Sequence, residues 1–275
     1  MSEKEMRALV SLLEDKSLRP EIETKILELG TDTIGLLEEE WEKTFDPELQ
    51  SYLEDIIHRL QYLLLKERLQ HWRQAESDDL LKGMWIVATY QYPDLSLEKL
   101  SQELEQLYYE VWLEHNPEAH PYDQVKFMNS VLFSKLRFRG NTRNFHAPAN
   151  SMINMVLETR RGNPISLAVV YLLLAQKLGM PVFGVNLPNM FVLTYKDERE
   201  QFYINAFNRG LIFSRQDIDN YIAQINLTPR PMFYEPCSHT DIIVRTLRNL
   251  TIAFEKLDEH GKAEEVKELL KIMEP

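Results

Sequence analysis

The chain has 275 residues, of which 44% are hydrophobic and 27% charged, a composition typical of a globular protein and too apolar for a disordered one. Its net charge of −12 argues against general binding to the phosphate backbone of nucleic acid, which needs clustered lysines and arginines. The one cysteine, Cys237, excludes an internal disulfide framework and a multi-cysteine metal site.

Membrane insertion is not expected. The first residues are charged, and the longest apolar run, Ile165–Ala175, is well short of the roughly 20 residues that cross a bilayer. The composition therefore predicts a cytoplasmic protein.

Residues 1–75 predict a helical N-terminal region, because apolar residues recur three and four positions apart. The recurring residues are Leu9, Leu12 and Leu13; Ile22, Ile26 and Leu29; and Leu53, Ile56, Ile57, Leu60 and Leu64. These short units fit either HEAT-like helical repeats or an irregular helical bundle. The first 50 residues hold 14 acidic and 6 basic side chains, which indicates a solvated acidic face rather than a metal site.

Residues 76–236 are expected to form the core of the protein, beginning with helices at about 77–90, 97–115 and 122–138. Pro117 and Pro121 separate the last two, because proline is excluded from a helix interior.

A buried helix is predicted over residues 164–178, because its side chains are apolar on nearly every face. Asn150 is expected to cap a shorter helix that lies between it and the buried helix. Arg160-Arg161-Gly162 would end that preceding helix, since cations favour a helix C-terminus and glycine tolerates the left-handed cap.

After the buried helix the pattern changes to short segments with alternating, β-branched or aromatic character, separated by turn residues. The predicted strands are Val182–Leu187, Phe191–Tyr195, Phe202–Ala206 and Leu211–Ser214. They indicate a small antiparallel meander packed on the buried helix. Residues 237–275 are predicted to form a C-terminal helical pair.

Several short motifs follow one another in order around the buried helix. They are Phe138-Arg139-Gly140-Asn141, Asn150-Ser151, Arg160-Arg161-Gly162-Asn163-Pro164-Ile165-Ser166-Leu167, Leu178-Gly179-Met180-Pro181, Gly184-Val185-Asn186-Leu187-Pro188 and Tyr203-Ile204-Asn205-Ala206-Phe207-Asn208. Over about residues 120–260 they resemble the SirB family of transglutaminase-like proteins. The resemblance implies a predominantly helical α+β fold with a papain-like core, in which a buried helix packs on a small antiparallel sheet. It also implies that the C-terminal helical pair is tetratricopeptide-like.

Active members of that superfamily carry a Cys–His–Asp triad, with the thiol at the start of the buried helix and the other two groups on the strands. The resemblance places these positions at Pro164, Met190 and Asn205, none of which can act as nucleophile, base or carboxylate. It therefore implies a vestigial site formed by these residues and Ser166, with no catalytic residue, metal or cofactor. We expect the three positions to converge in an apolar or amide-lined neighbourhood, and Cys237, outside it, to have no lowered pKa.

Residues 121–163 carry seven basic and two acidic side chains, a local charge of +5 in an acidic chain. The candidate binding residues in this stretch are Arg137, Arg139, Asn141, Arg143, Arg160 and Arg161. They fit a site for an acidic peptide, a phosphorylated partner or nucleic acid. The alternative is intramolecular pairing with the acidic N-terminal helices, together with charges at helix ends.

The sequence favours a non-catalytic transglutaminase-like protein that acts as a protein-interaction or regulatory module, with another protein or a peptide as its partner. A cysteine-independent hydrolase or peptidase that uses an unrecognised site in the same cleft is the first alternative. The second is a nucleic-acid-associated protein that uses the basic stretch 126–161, which the net charge disfavours.

Overall fold

The structure is a computed structural model that describes residues 3–274. Its helices are α1 (Glu3–Ser11), α2 (Arg19–Leu29), α3 (Ile34–Lys43), α4 (Pro47–Ala75), α5 (Leu80–Ala88), α6 (Leu97–Trp112), α7 (Pro121–Asn129), α8 (Ile153–Thr159), α9 (Pro164–Lys177), α10 (Arg215–Gln224), α11 (His239–Lys256) and α12 (His260–Met273). Its strands are β1 (Arg139–Gly140), β2 (Arg161–Gly162), β3 (Val182–Leu187), β4 (Met190–Lys196), β5 (Gln201–Asn205) and β6 (Leu211–Phe213). Helices make up 66% of the structure, so the predicted helical α+β class is confirmed.

The chain divides into two compact units between Arg68 and Leu69. The core of the first unit contains the buried residues Val10, Leu13, Ile22, Ile26, Leu37, Leu49, Leu53, Ile56 and Leu60. Helices α1, α2 and α3 have 9, 11 and 10 residues whereas α4 has 29, which fits an irregular bundle better than repeats of equal size.

Helix α9 is the centre of the second unit. Every residue from Ile165 to Ala175 is buried, because the helix is apolar all round and is covered on all sides. It packs against α5, α6, α8, α11 and strands β3 and β4. The predicted buried helix is confirmed almost to the residue.

Strands β3, β4, β5 and β6 form an antiparallel sheet in that order, as the spacing of the turn residues predicted. Val185 pairs with Val192 and Tyr203 with Phe213, so these four side chains share one face of the sheet. That face is covered by residues from α10 and the loop that follows it, namely Ile218, Ile222, Phe233 and Tyr234. Because side chains alternate along a strand, the intervening residues of β3 and β4 face α9.

The two-residue strands β1 and β2 pair in parallel, with Arg139 opposite Arg161. Backbone hydrogen bonds from Arg139 N to Arg160 O at 3.0 Å and from Asn141 N to Gly162 O at 2.9 Å flank the pair. Helix α8 therefore ends earlier than predicted, at Thr159, and Arg160 takes the left-handed cap conformation with φ of 57°. Gly162 was wrongly predicted as the cap because its backbone is used in strand pairing.

Asn150 does not cap a helix, contrary to the sequence prediction. It lies in a 3₁₀ turn, Pro148–Ser151, and α8 begins after Met152. The Asn150 amide instead donates to the carbonyl oxygens of Asn144 and Phe145, at 2.7 and 2.9 Å, and accepts a bond from the side chain of Asn141. It is therefore the internal brace of loop 141–150.

The predicted C-terminal helical pair is present as α11 and α12, which pack together through buried residues that include Leu250, Phe254, Val266 and Leu269. Both helices belong to the second compact unit, and a separate division at residues 236 and 237 stays a prediction. None of the helices within residues 3–274 combines the length and apolar character that crossing a bilayer requires.

A methyl group at Gly162 would overlap the Ser166 hydroxyl and lie 3.3 Å from carbons of Leu167 and Val156. Because Ser166 is buried and helps to cap α9, we expect Gly162→Ala to lower the free energy of unfolding by about 1–3 kcal/mol. Urea unfolding measures this change. The matched control is Gly261→Ala, where nothing lies within 4 Å and the helix should gain stability. Equal stability of the two variants would contradict the packing described around α9.

Tyr171, in the middle of α9, is fully buried, and its hydroxyl has no hydrogen-bond partner among the described residues. We expect Tyr171→Phe to leave the free energy of unfolding unchanged or raise it by about 1 kcal/mol, since it removes a desolvated polar group. The control is Tyr203→Phe, which deletes a buried bond to the carbonyl oxygen of Tyr234 at 3.1 Å and should cost about 1 kcal/mol. A similar loss in both variants would mean that the Tyr171 hydroxyl is hydrogen-bonded.

Candidate functional site

The start of α9 is built by a capping box. The Asn163 side chain accepts a bond from Ser166 N at 2.9 Å, and the Ser166 hydroxyl accepts one from Asn163 N at 3.0 Å. Pro164 occupies the first helical position, where its missing N–H costs nothing. The Asn163 amide also donates to the Ser151 hydroxyl at 3.0 Å, which ties the helix start to the turn that precedes α8.

A cavity of about 120 Å³ opens at this helix start. Its lining residues are Phe145, His146, Ala147, Ser151, Asn163, Pro164, Ile165, Asn189, Phe191, Arg245, Asn249, Ile252 and Ala253. We call this cavity, with its lining, the α9 cleft. Pro164, where the resemblance places the thiol of active transglutaminase-like enzymes, contributes to its wall.

Of the three positions where the resemblance places a triad, the structure brings one into the α9 cleft. Pro164 lines it, together with Asn189 and Phe191, the residues on either side of Met190. Met190 packs instead on the hydrophobic cluster that includes Tyr203, on the face of the sheet away from α9. Asn205 is two residues from Tyr203 on the same strand and therefore lies on that face too. The Asn205 side chain accepts a bond from Asn208 N at 3.0 Å and so holds the turn after β5.

Ser166, the fourth residue of the site that the sequence predicts, is fully buried and its hydroxyl belongs to the capping box. It does not line the cleft. A serine in this position stabilises the helix start and is not available to attack a substrate.

The chemistry of the cleft is dominated by amides. Asn163, Asn189 and Asn249 contribute them, and the lining contains no thiol and no carboxylate. Ser151 offers a hydroxyl and His146 an imidazole, but the Ser151 oxygen is bonded to the Asn163 amide, and His146 makes no hydrogen bond within the described part of the chain. The pairing of a nucleophile with a base that nucleophilic catalysis requires is therefore not formed.

One cation reaches the cleft from α11. The Arg245 guanidinium donates to Asn186 Oδ1 on β3 at 3.0 Å, and burial lowers its pKa without discharging it. It has no ion-pair partner among residues 69–274. The cleft therefore carries a positive charge beside its amides.

Cys237 lies outside the α9 cleft, and its backbone N–H donates to Gly184 O at 2.8 Å. Burial, with a smaller contribution from the nearby Asp241 carboxylate, raises the pKa of its thiol to about 12. This agrees with the expectation that the thiol is not activated.

The six candidate binding residues of the basic stretch do not form one surface. Arg139, Asn141, Arg143 and Arg161 line a depression of about 260 Å³ together with Gly140 and Thr142. Arg160 points elsewhere, 4.8 Å from the centre of the Phe138 ring and beside Glu103, and burial lowers its pKa. Arg137 is exposed in a left-handed conformation with φ of 63° and does not line the depression.

The Asn141 side chain is structural. It donates to Asn150 Oδ1 at 2.9 Å and accepts from Asn144 N at 3.3 Å, so it shapes the loop rather than facing a ligand. No group of three or more His, Cys, Asp or Glu side chains within residues 3–274 is arranged to hold a metal ion.

Sequence reasoning missed most of the cleft lining. Asn163 could have been found, because Asn163-Pro164-Ile165-Ser166 is a capping sequence with its proline at the first helical position. Arg245 and Asn249 come from α11, about 80 residues further along the chain, and no local pattern links them to α9.

Comparison with known proteins gives the following matches. The profile of the Transglutaminase-like superfamily matches residues 98–248. A UPF0162 protein of Xylella fastidiosa is 31% identical over 203 residues, which are 68% of this chain and 69% of that protein, and the UPF0162 protein of a second strain is 32% identical over 190 residues, 64% of each chain. Human F-box only protein 21 is 33% identical over 105 residues, 35% of this chain and 17% of that protein. No solved structure matches.

The profile match runs from the start of α6 into α11 and includes helix α9, the sheet and most of the cleft lining, whereas Asn249, Ile252 and Ala253 lie just beyond it. The chain therefore belongs to the transglutaminase-like superfamily, with the UPF0162 proteins as its relatives.

Proposed function

We propose that this chain is a catalytically degenerate member of the SirB group of the superfamily, and that its α9 cleft binds a polypeptide segment of another protein. The proposal is supported by the proline at the start of α9, where the resemblance places the nucleophile, in a cleft whose one hydroxyl is bonded to Asn163 rather than to a base. A cytoplasmic location also stays a prediction.

The lining of the cleft suits a peptide. A side-chain amide offers both a donor and an acceptor, as a peptide group does, and Asn189 and Asn249 contribute amides to the cleft that the capping of α9 does not use. Phe145 and Ile252 are 44% and 45% exposed at the cleft and supply apolar contact area for a bound side chain. The volume of about 120 Å³ lies below the roughly 300–1,000 Å³ of pockets that enclose whole small molecules.

The alternative is a hydrolase, and one observation favours it: Ser151 and His146 line the same cavity. Catalytic hydrogen bonds are often absent before substrate binds, so a rearrangement of the His146 side chain could create a serine–histidine pair. Phe145 lies edge-on to His146, with ring centres 5.2 Å apart, so the imidazole already contacts the cleft wall.

Binding is tested by photo-cross-linking from Phe145, replaced by p-benzoylphenylalanine, followed by affinity measurement with the captured segment. We expect Ile252→Arg to weaken binding about tenfold or more, because a charged side chain would fill the cleft. The matched control is Leu257→Arg, since Leu257 is 51% exposed at the end of the same helix and does not line the cleft. Equal affinity of the two variants would count against the cleft as the binding site.

Catalysis is tested separately with a fluorophosphonate probe and with ester and peptide substrates. We expect no Ser151-dependent activity, because the Ser151 hydroxyl lacks a base. Probe labelling and substrate turnover by the wild-type protein should be no higher than those of the Ser151→Ala variant. Labelling that disappears in both Ser151→Ala and His146→Gln would establish the hydrolase alternative.

Alkylation tests the state of the thiol. With the pKa of Cys237 raised to about 12 by burial, iodoacetamide should modify the folded protein at pH 7.5 about a hundredfold more slowly than the urea-unfolded chain. The rate is followed by intact mass. Rapid modification of the folded protein at pH 6 would reveal an activated thiol and reopen a cysteine-dependent reaction.

A further inference from the structure

We propose that Arg139, Arg143 and Arg161 form an oxyanion site that takes phosphoryl or carboxylate groups of an acidic peptide. The inference rests on the proposed function, because it names the chemistry of the segment that the α9 cleft would bind. We call the depression lined by these three residues with Gly140, Asn141 and Thr142 the arginine site.

The three guanidinium groups are unpaired. No ion pair or side-chain hydrogen bond within residues 69–274 holds any of them, although acidic residues outnumber basic ones by 43 to 31 in the chain. The lining of the arginine site contains no carboxylate, and the one hydroxyl there, of Thr142, is a further donor. Three uncompensated cations around one depression repel one another, so an anion bound among them would be stabilised.

The backbone at the arginine site is held in place before any ligand binds. The parallel pairing of β1 and β2 sets Arg139 directly opposite Arg161. Loop 141–150, which carries Arg143, is braced by the bonds that Asn141 and Asn150 make. Gly140 permits close contact with the Phe207 ring, which a side chain at that position would overlap. Ordering of the backbone therefore adds little to the entropic cost of binding an anion.

The chemistry of arginine selects the class of ligand. A guanidinium presents a planar fork of donors that matches two oxygens of a phosphoryl or carboxylate group, which a lysine ammonium cannot do. A short acidic peptide can place one such group in the site and keep the rest of its length outside it. A long nucleic acid would also approach the remaining surface of a protein with a net charge of −12, so repulsion disfavours it.

The position of the site connects it with the α9 cleft. Loop 141–150 contributes Arg143 to the arginine site and, two and three residues later, Phe145 and His146 to the cleft. A peptide that lies in the cleft can therefore present a neighbouring acidic residue to the arginines. The proposed ligand is a segment in which an apolar or amide-binding stretch adjoins a phosphorylated or acidic residue.

Fluorescence anisotropy tests the site with fluorescein-labelled Gly/Ser octapeptides that carry one phosphoserine, three consecutive glutamates, or neither. We expect the first two to bind, inorganic phosphate to displace them, and Arg139→Gln/Arg143→Gln to weaken them about tenfold or more. Both residues are exposed, so the variant should fold normally. Arg139→Lys/Arg143→Lys keeps the charge but removes the fork, and should also weaken binding, though less.

The matched control is Arg199→Gln/Arg230→Gln, which changes the net charge equally at two exposed arginines away from the site. Tighter binding of the phosphoserine peptide than of the glutamate peptide would identify the phosphoryl group as the preferred ligand. Equal binding of the two peptides would show that the site accepts carboxylates as well. Both outcomes support the proposal. Equal losses in the control and in the site variant, or no binding of either anionic peptide, would overturn it. So would tighter binding of a single-stranded oligonucleotide that depends on Arg139 and Arg143.

The same peptides are titrated into Ile252→Arg to separate the two proposals. A loss with Ile252→Arg alone would leave the cleft function standing and overturn the arginine site. A loss with Arg139→Gln/Arg143→Gln alone would support the arginine site even if the cleft binds nothing.

Discussion

The hydrogen bonds around Asn163 determine where α9 begins, and most of the second unit is arranged around that helix. Asn163 is 5% exposed, and its side chain bonds both Ser166 N and the Ser151 hydroxyl. A helix that is apolar on every face has no amphipathic pattern to orient it, so its start must be positioned by polar contacts at its end. Ser151 and Asn163 also line the cleft, so a change that disrupts the start of α9 also changes the cleft wall.

For the catalytically degenerate protein proposed above, the cap explains how the start of α9 is held without a thiol. Proline pre-sets the backbone angle of the first helical turn, and the capping box satisfies the donors that this turn leaves open. Neither device needs a reactive group. The stability of the helix start therefore does not depend on a catalytic group, in keeping with the general separation of fold from function.

Much of the fold could be predicted from the sequence because the pattern was unambiguous there. The apolar run of α9 and the strands from Val182 to Phe213 match the structure closely, since period and turn residues agree. The candidate site was harder, because side-chain direction alternates with every residue of a strand. Met190 begins β4 and Asn205 ends β5, but both lie on the face away from α9, and Asn189 and Phe191 line the cleft instead.

The basic stretch shows a second limit of sequence reasoning, because a local charge of +5 does not say which side chains meet. Pairing of β1 with β2 joins Arg139 to Arg161 across 22 positions of sequence, whereas Arg160, the neighbour of Arg161, turns towards Phe138 and Glu103. Since the screening length in physiological salt is about 8 Å, the effect of a cationic group depends on such neighbours more than on net charge. A negative protein can therefore present a small cationic site, because the strand pair and loop 141–150 gather Arg139, Arg161 and Arg143 around one depression.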